Sequence, residues 1–318
     1  MKHCAVVFVL LGAIACASSP GPAAAAREGF VTVEPGVRLA YRVVGSGPET
    51  VVVPWPDASR DLDRLANGRR LILYNPRGRV ASDAVDPSKV SFENELSDLE
   101  AVRKHFGLES MMLLGWSHYG MMTAVYTIRH PERVSRLVQM TPGGPRRTPY
   151  LDEGMKTIRE RVDGGAWNRL QERRKSGEFT SNPAALCREN RKVTLAGFVG
   201  DPRDVAKISH ESCRFPNEWL EAQDRWWEAL FGSMGDWDYR REARELPMPR
   251  LVIQGERDFI PVEGSREWVV GNPNARLLVI AGSGHFPHVE KPEVYFPAVE
   301  RFLSGSWPEG AVAVEAAP

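Results

Sequence analysis

Short runs of β-branched and aliphatic residues alternate with stretches of helical period along most of this chain of 318 residues. The strand-like runs are 37–44, 50–53, 70–74, 111–114 and 136–140, and two more follow within "PMPRLVIQG" and "ARLLVI", the latter near residue 280. Between them, apolar residues recur at helical spacing from Phe92 to Phe106, and a second helix is predicted over 119–130, before Pro131. This alternation predicts a mostly parallel sheet covered by helices.

The alternation is interrupted once. After "TPGGPRRTP" at 141–149 the chain is charged and helix-prone, and strand-like runs resume only at "PMPRLVIQG" from residue 247. One sheet with an insertion explains this better than two independent domains. Open α/β folds bind ligands at the carboxyl ends of their strands, where we expect the insertion to sit. We predict a core over 27–144 and 247–305, a helical cap over 145–246 and a flexible tail over 306–318.

The first 26 residues are typical of an export signal. Lys2 supplies a positive charge, the apolar run 5–14 is too short to span a bilayer, and the small residues 23–26 offer a cleavage site. The stretch "AIAC" at 13–16 resembles a bacterial lipoprotein box, although its first residue is not the usual leucine. Two outcomes stay open: simple secretion, or a membrane tether through a lipidated Cys16. Either one takes the mature chain to an oxidising compartment.

Charge and spacing argue against several function classes. Lys plus Arg and Asp plus Glu number 41 each, so no net field favours nucleic acid. The two Gly-Ser-Gly stretches lack the spacing of a phosphate loop or a dinucleotide fingerprint. The pairs His285/His288 and His210/Cys213 have metal-like spacing, but no further ligands cluster with either. The sequence therefore indicates no nucleic-acid partner, no metal and no cofactor.

The cysteines bear on the cap. Cys4 and Cys16 belong to the predicted signal, which leaves Cys187 and Cys213, both within the insertion. Export favours a disulfide between these two residues. The alternative is a pair of buried free thiols.

The stretch "LLGWSHYGMM" at 113–122 places a serine between a strand and a helix. Gly115 lies two positions before Ser117, where a tight turn needs a small residue. A serine hydroxyl becomes a nucleophile only when a histidine takes its proton and a carboxylate orients that histidine. Without such partners, Ser117 would be an ordinary residue at the start of a helix.

Suitable partners follow two later strands. Asp258 comes directly after "LVIQGER", and His285 follows "LLVIAGSG" in a glycine-rich loop. The chain order Ser, Asp, His is the order of the α/β-hydrolase fold. Two other residues compete for these roles, namely Glu256 and His288. We expect Glu256 to point elsewhere within its turn, and His288 to be structural at the start of the last helix.

Five motifs in this order resemble the α/β-hydrolases, in the group that includes proline iminopeptidases and related esterases. The resemblance covers roughly residues 30 to 305 and matches the insertion only weakly. It rests on "NPRGRVASD" (75–83), "GWSHYG" (115–120), "RHPERVSRLVQM" (129–140), "GERDFIP" (255–261) and "GSGHFPHVEKPE" (282–293). The resemblance implies that Ser117 is the nucleophile, His285 the base and Asp258 the acid that orients the base.

The chain departs from the family pattern at two places. Tyr119 replaces the small residue usual two positions after the serine, and we expect its side chain to pack beneath the insertion. We also expect Tyr119 and Trp116 to contact substrate. The other departure is "VVVPWPDAS" at 51–59, where relatives carry His-Gly before an N–H that binds the oxyanion. Since proline has no N–H, we predict that the amides of Trp55 and His118 form the oxyanion hole.

These observations predict an exported serine hydrolase that cleaves a small ester, or the N-terminal bond of a short peptide, through an acyl-enzyme. A peptidase would need carboxylates in the cap to hold the substrate ammonium, and four are candidates, though they equally suit a solvated helix face: Glu211, Glu218, Glu221 and Asp224. The alternative is a non-catalytic binding protein on a retained hydrolase fold, which the altered segment at 54–57 and Tyr119 would support.

Overall fold

The computed structural model describes residues 27–316. The predicted export signal, including Cys16, lies outside these residues. Within them, eight strands form one sheet. The strands are β1 (Arg27–Glu34), β2 (Val37–Val44), β3 (Thr50–Pro54), β4 (Arg70–Tyr74), β5 (Met111–Trp116), β6 (Val134–Met140), β7 (Arg250–Gly255) and β8 (Ala275–Ile280).

The strand order is β1-β2-β4-β3-β5-β6-β7-β8. Strands β1 and β2 are antiparallel to their neighbours, and the six strands β3 to β8 are parallel to one another. The prediction of a mostly parallel sheet is therefore confirmed. Because the strands are parallel, the segments that follow β3, β5, β6, β7 and β8 emerge at one edge of the sheet.

Helices cover both faces of the sheet. Those of the described chain are α1 (Phe92–His105), α2 (His118–Arg129), α3 (Tyr150–Arg161), α4 (Gly164–Lys175), α5 (Pro183–Thr194), α6 (Leu220–Met234), α7 (Arg240–Arg244), α8 (Val262–Val269), α9 (Pro287–Glu290) and α10 (Pro292–Leu303). Helix α1 begins at Ser91, whose hydroxyl accepts the Asn94 N–H, and Gly107 follows its end with φ of 62°. A side-chain N-cap and a positive-φ glycine are the expected boundaries of such a helix.

The core lies in two layers on either side of the sheet. Val52 of β3 packs into a cluster with residues of α1 and α2, whereas Val51 and Val53 pack into a second cluster with residues of α10. Successive side chains of a strand point to opposite faces, so a strand covered on both sides is apolar throughout. This explains the unbroken valine run that the sequence shows at β3.

Between β6 and β7, the insertion forms α3 to α7 together with short 3-10 turns. A buried ion pair between Arg79 and Glu218 ties it to the core, with Nε and Oε1 2.9 Å apart. The predicted disulfide is confirmed, since Cys187 and Cys213 are bonded with their Cα atoms 5.6 Å apart. The cap is thus fixed to the core and braced internally.

The prediction of a flexible tail is wrong for residues 306–314. Val312 and Leu277 exchange two backbone hydrogen bonds of 2.9 Å, and the Gly271 N–H donates to Val314 O at 2.8 Å. The tail therefore pairs with the free edge of β8. Within 27–316, no helix is both long and apolar enough to cross a membrane.

Candidate active site

Ser117 lies on a sharp turn between β5 and α2. Its φ of 57° and ψ of −124° are unusual for a residue with a side chain. Its N–H donates to Met140 O at 2.9 Å, and its carbonyl accepts the N–H of Gly120 at 3.0 Å and of Gly143 at 3.1 Å. Backbone strain of this kind persists where the surroundings over-determine it, and it concentrates at functional sites.

Two glycines allow this turn. A Cβ on Gly115 would lie 2.2 Å from Tyr119 O, and a Cβ on Gly120 would lie 3.0 Å from the Pro142 Cβ. The sequence predicted the need for Gly115. Gly120 is the second glycine at which the chain packs closely, and it lies one position after the small residue of the family pattern. Tyr119 can therefore stand at the usual small position.

His285 and Asp258 are joined as predicted from their places after β8 and β7. The His285 Nδ1 lies 3.0 Å from both Oδ1 and Oδ2 of Asp258, and the His285 side chain is 2% exposed. The carboxylate also accepts the Gln254 Nε2–H at 3.0 Å and the Ile260 N–H at 3.1 Å. This arrangement fixes the ring and leaves its Nε2 as the nitrogen that can exchange a proton.

Trp116 brings His285 next to the serine turn. The Trp116 Nε1–H donates to His285 O at 2.9 Å, and the centroids of the two rings are 5.3 Å apart. Since Trp116 immediately precedes Ser117, His285 and Ser117 lie at the same corner of the sheet edge. Within residues 27–316, no hydrogen bond joins the Ser117 hydroxyl to the His285 ring. Catalytic hydrogen bonds often tighten only when substrate is bound.

The two competing residues have other roles in the structure. The Glu256 carboxylate accepts the Gly282 N–H at 2.9 Å, away from His285. His288 is buried between Trp55 and Tyr295, and burial lowers its pKa to about 3. A histidine with so low a pKa is a weak base at neutral pH, which agrees with the structural role predicted for it.

The Trp55 donor predicted for the oxyanion hole is wrong. Its N–H donates to Tyr74 O at 2.8 Å, because the β3–β4 ladder continues one residue beyond the strand. In the part of the chain described, the N–H groups of Asp57 and His118 have no hydrogen-bond partner. The Asp57 carboxylate accepts the Ser59 N–H at 2.7 Å and pairs with Arg191 of the cap at 3.4 Å. The sequence contained no signal for this ion pair.

Beneath the cap, a buried polar cluster lies beside the serine turn. The His118 Nε2 is 2.6 Å from Glu95 Oε2, and Tyr119 is 2% exposed in a hydrophobic cluster that includes Trp226 of α6. Burial, followed by the charge of Glu95, raises the pKa of Tyr119 well above its usual value. The predicted packing of Tyr119 under the insertion is therefore observed. Its contact with substrate remains a prediction.

The sequence of this fold matches a known family. A family profile described as alpha/beta hydrolase fold matches residues 44–292, which is more than half of the chain. The chain belongs to the α/β-hydrolase fold family. The resemblance drawn from the sequence motifs is thus confirmed, and hydrolytic activity is the activity typical of its relatives.

Two curated relatives of this α/β-hydrolase are named for different activities. It is 26% identical over 305 residues to a 2-hydroxy-6-oxononadienedioate/2-hydroxy-6-oxononatrienedioate hydrolase of Klebsiella pneumoniae, covering 88% of this chain and 96% of that protein. It is 25% identical over 291 residues to a proline iminopeptidase of Lactobacillus helveticus, covering 84% and 95%.

A solved structure shows the same fold. The 2-hydroxy-6-oxo-6-phenylhexa-2,4-dienoate hydrolase of a Rhodococcus strain superposes with a TM-score of 0.66 at 18% identity, covering 89% of this chain and all of that one.

Proposed function

We propose that this α/β-hydrolase is a serine hydrolase that cleaves an ester or amide bond through an acyl-enzyme. The observation that carries the proposal is the buried hydrogen bond between His285 Nδ1 and Asp258, at the sheet edge where Ser117 holds a strained turn. A histidine oriented by a buried carboxylate beside a strained serine is the arrangement that activates a hydroxyl.

The proposed reaction has two halves. His285 Nε2 takes the proton of Ser117 Oγ as the oxygen attacks the substrate carbonyl, and the imidazolium then returns that proton to the leaving alcohol or amine. In the second half, His285 removes a proton from water as the water oxygen attacks the acyl carbon. The bond to Ser117 Oγ then breaks, the imidazolium returns the proton to that oxygen, and the acid leaves. Asp258 remains ionised and stabilises the imidazolium through Nδ1.

The negative oxygen of each tetrahedral intermediate needs N–H donors. We propose His118 N–H and Asp57 N–H for this role, in place of the Trp55 donor. The Asp57 side chain would oppose a developing negative charge if it were free. Its hydrogen bond to the Ser59 N–H and its pairing with Arg191 offset that charge.

The charges around the site favour a substrate without acid groups. A small pocket beside Trp116 is lined by Asp57 and Asp61 as well as by aromatic side chains, and Arg191 is already paired with Asp57. A dicarboxylate such as the dienedioate in the relative's name would meet carboxylates there. We therefore propose that the substrate carries no acid group at this end.

The cap carboxylates give little support to a peptidase. Glu218 is buried and bonded to Arg79, whereas Glu211, Glu221 and Asp224 are exposed on the outside. Burial alone would raise the pKa of Glu218, but the charge and hydrogen bonds of Arg79 hold it below its usual value. None of these four cap residues lines the pocket beside Trp116. We therefore favour an ester over an N-terminal peptide bond.

The test is a substrate panel. Purified protein should hydrolyse p-nitrophenyl esters faster than aminoacyl-naphthylamides, and Ser117→Ala should abolish the hydrolysis of both. Ser181→Ala, a change at an exposed serine of the cap, is the matched control and should retain activity. Faster cleavage of the naphthylamides would reassign the enzyme to the peptidases.

A non-catalytic binding protein is the second candidate. This candidate is favoured because the Trp55 N–H donates to Tyr74 O and therefore cannot bind an oxyanion. Folded protein that binds an ester without hydrolysing it would support this candidate.

We also propose that the protein is exported, since residues 1–26 are typical of a signal. Mass spectrometry of the mature protein distinguishes the two forms. Simple secretion gives an N-terminus near residue 27, whereas a lipoprotein begins at an acylated Cys16. A chain that retains Met1 or Lys2 would contradict export.

A further inference from the structure

We propose that Glu290 is a positioning residue, which holds the backbone on both sides of His285 and joins that backbone to the cap. Glu290 ends the short helix α9 and is 3% exposed. Its Oε1 accepts the Phe286 N–H at 2.9 Å, and its Oε2 accepts the Gly284 N–H at 2.8 Å. A third N–H, that of Gly200 in the cap, donates to the same Oε2 at 2.7 Å.

His285 itself is held at both backbone groups. Its N–H donates to Phe198 O of the cap at 2.8 Å, and its carbonyl accepts from Trp116 Nε1 at 2.9 Å and from Thr141 Oγ1 at 3.1 Å. Together with Glu290, these contacts fix three consecutive N–H groups, those of residues 284 to 286. These contacts hold the backbone of the loop that carries the proposed base.

The cap segment 198–200 lies directly on this loop. A Cβ on Gly284 would be 2.4 Å from Gly200 N, and a Cβ on Gly200 would be 2.4 Å from Gly282 O. Neither glycine could be replaced without moving one segment away from the other. Glu290 reaches the N–H groups at this contact from the core side and bonds to both segments at once.

Burial of the Glu290 charge needs an explanation. Within residues 27–316, no ion pair involves this carboxylate, so the three N–H groups are what compensates its loss of hydration. Charge-assisted hydrogen bonds to backbone N–H groups are short and directional, and they specify geometry. A neutral or apolar residue would be cheaper to bury but could not hold three donors from two segments.

This inference rests on the proposed function, because position matters only if His285 moves a proton. Glu290 touches no reacting atom and acts through the His285 backbone. A displacement of about 1 Å in a reacting group costs on the order of 100-fold in rate. Loosening the loop should therefore slow the attack of Ser117 while leaving substrate contacts in place.

The test uses the full protein and a fluorophosphonate probe, with the maximal inactivation rate and the probe affinity measured separately. Glu290→Gln keeps the shape but turns an amide nitrogen toward N–H donors. We expect its maximal rate to fall about 10- to 100-fold, with probe affinity changed less than about threefold and one label bound per chain. Glu293→Gln, at an exposed carboxylate one turn further on, is the control and should react like the wild type.

Loss of folded protein would instead lower the number of labels per chain without changing the rate of the labelled fraction. If Glu290→Gln does not fold, Glu290→Asp keeps the charge but is too short to reach all three donors, and it should also react slowly. A wild-type rate in a folded variant, or loss of fold in both, would overturn the positioning role. A wild-type protein that takes no label would instead refute the proposed function.

Discussion

The two ends of the candidate site differ in how their polar groups are satisfied. At the base end, the His285 ring, the His285 backbone and the Asp258 carboxylate are all hydrogen-bonded. At the nucleophile end, the N–H groups of His118 and Asp57 have no partner within residues 27–316. Four buried side-chain atoms near α2 are also unpartnered there, namely Arg79 Nη1, Glu95 Oε1, His118 Nδ1 and Tyr119 OH.

The difference indicates that the two ends contribute differently to the proposed reaction. Buried polar groups are normally hydrogen-bonded. At the base end the His285 Nδ1, the His285 backbone and the Asp258 carboxylate have their partners without substrate, and only the His285 Nε2 lacks one in the described part of the chain. In the proposed reaction, the unpartnered N–H groups of His118 and Asp57 bind the substrate oxygen and the tetrahedral intermediate. Changes at Asp258 should therefore disturb proton transfer by His285, whereas changes at the His118 or Asp57 N–H should weaken stabilisation of the intermediate.

The largest effect is expected at the base end. Asp258→Asn keeps the size of the side chain but can donate to His285 Nδ1 and so favour the wrong tautomer. We expect turnover to fall about 10⁴-fold with the fold intact. Steady-state kinetics with a p-nitrophenyl ester measures it. Glu256→Gln is the matched control, and a comparable loss there would show that the orienting acid is misassigned.

A smaller effect is expected at the nucleophile end. Asp57→Pro removes the proposed oxyanion N–H, and turnover should fall on the order of 10²- to 10³-fold. Asp57→Asn keeps the N–H and removes only the charge, so it should not lose turnover. Circular dichroism of both variants checks their folding. Equal activity of a folded Asp57→Pro variant would remove Asp57 from the hole.

The cap covers both ends of the site, and its disulfide is expected to stabilise it. Replacing Cys187 and Cys213 together with serine removes a bridge between residues 26 positions apart. The chain-entropy model predicts a loss of about 3 kcal/mol in the free energy of unfolding. Urea denaturation measures this loss. Unchanged stability, or two thiols titrating in the unreduced wild type, would contradict a stabilising bridge.

His288 lies near Trp55 and Trp116, between the two ends. Burial lowers its pKa from 6.5 to about 3, so below pH 6.5 the unfolded chain binds a proton that the folded chain does not. The free energy of unfolding should therefore decrease as the pH is lowered, by about 2–3 kcal/mol between pH 6.5 and 4.5.

His288→Phe should weaken this dependence, and the exposed His105→Gln should leave it unchanged. Urea denaturation at several pH values measures the effect. An equally steep dependence in the His288→Phe variant would show that another group is responsible.

The sequence was sufficient for those features that are local or periodic. Strand runs, the α1 boundaries and the residues after β5, β7 and β8 follow from patterns within a few positions of each other. Trp55 was misassigned because strand pairing with β4, not the local sequence, decides where its N–H points. The tail was misassigned because pairing of Val312 with Leu277 depends on a strand edge brought close by folding.

Long-range contacts explain what was missed in the site. The Arg191 pairing with Asp57 and the Gly200 bond to Glu290 join residues far apart in sequence, from the cap and the core. The motifs that carry the family resemblance lie in the core, so neither periodicity nor motif spacing could indicate these contacts.

The central claim is that Ser117 is activated by His285. Intact-mass analysis and peptide mapping after treatment with a fluorophosphonate test it most directly. We expect one adduct per chain, located on Ser117, with no adduct on the Ser117→Ala protein and a rate strongly reduced in His285→Ala. A folded wild-type protein that takes no adduct, or an adduct on another serine, would contradict it.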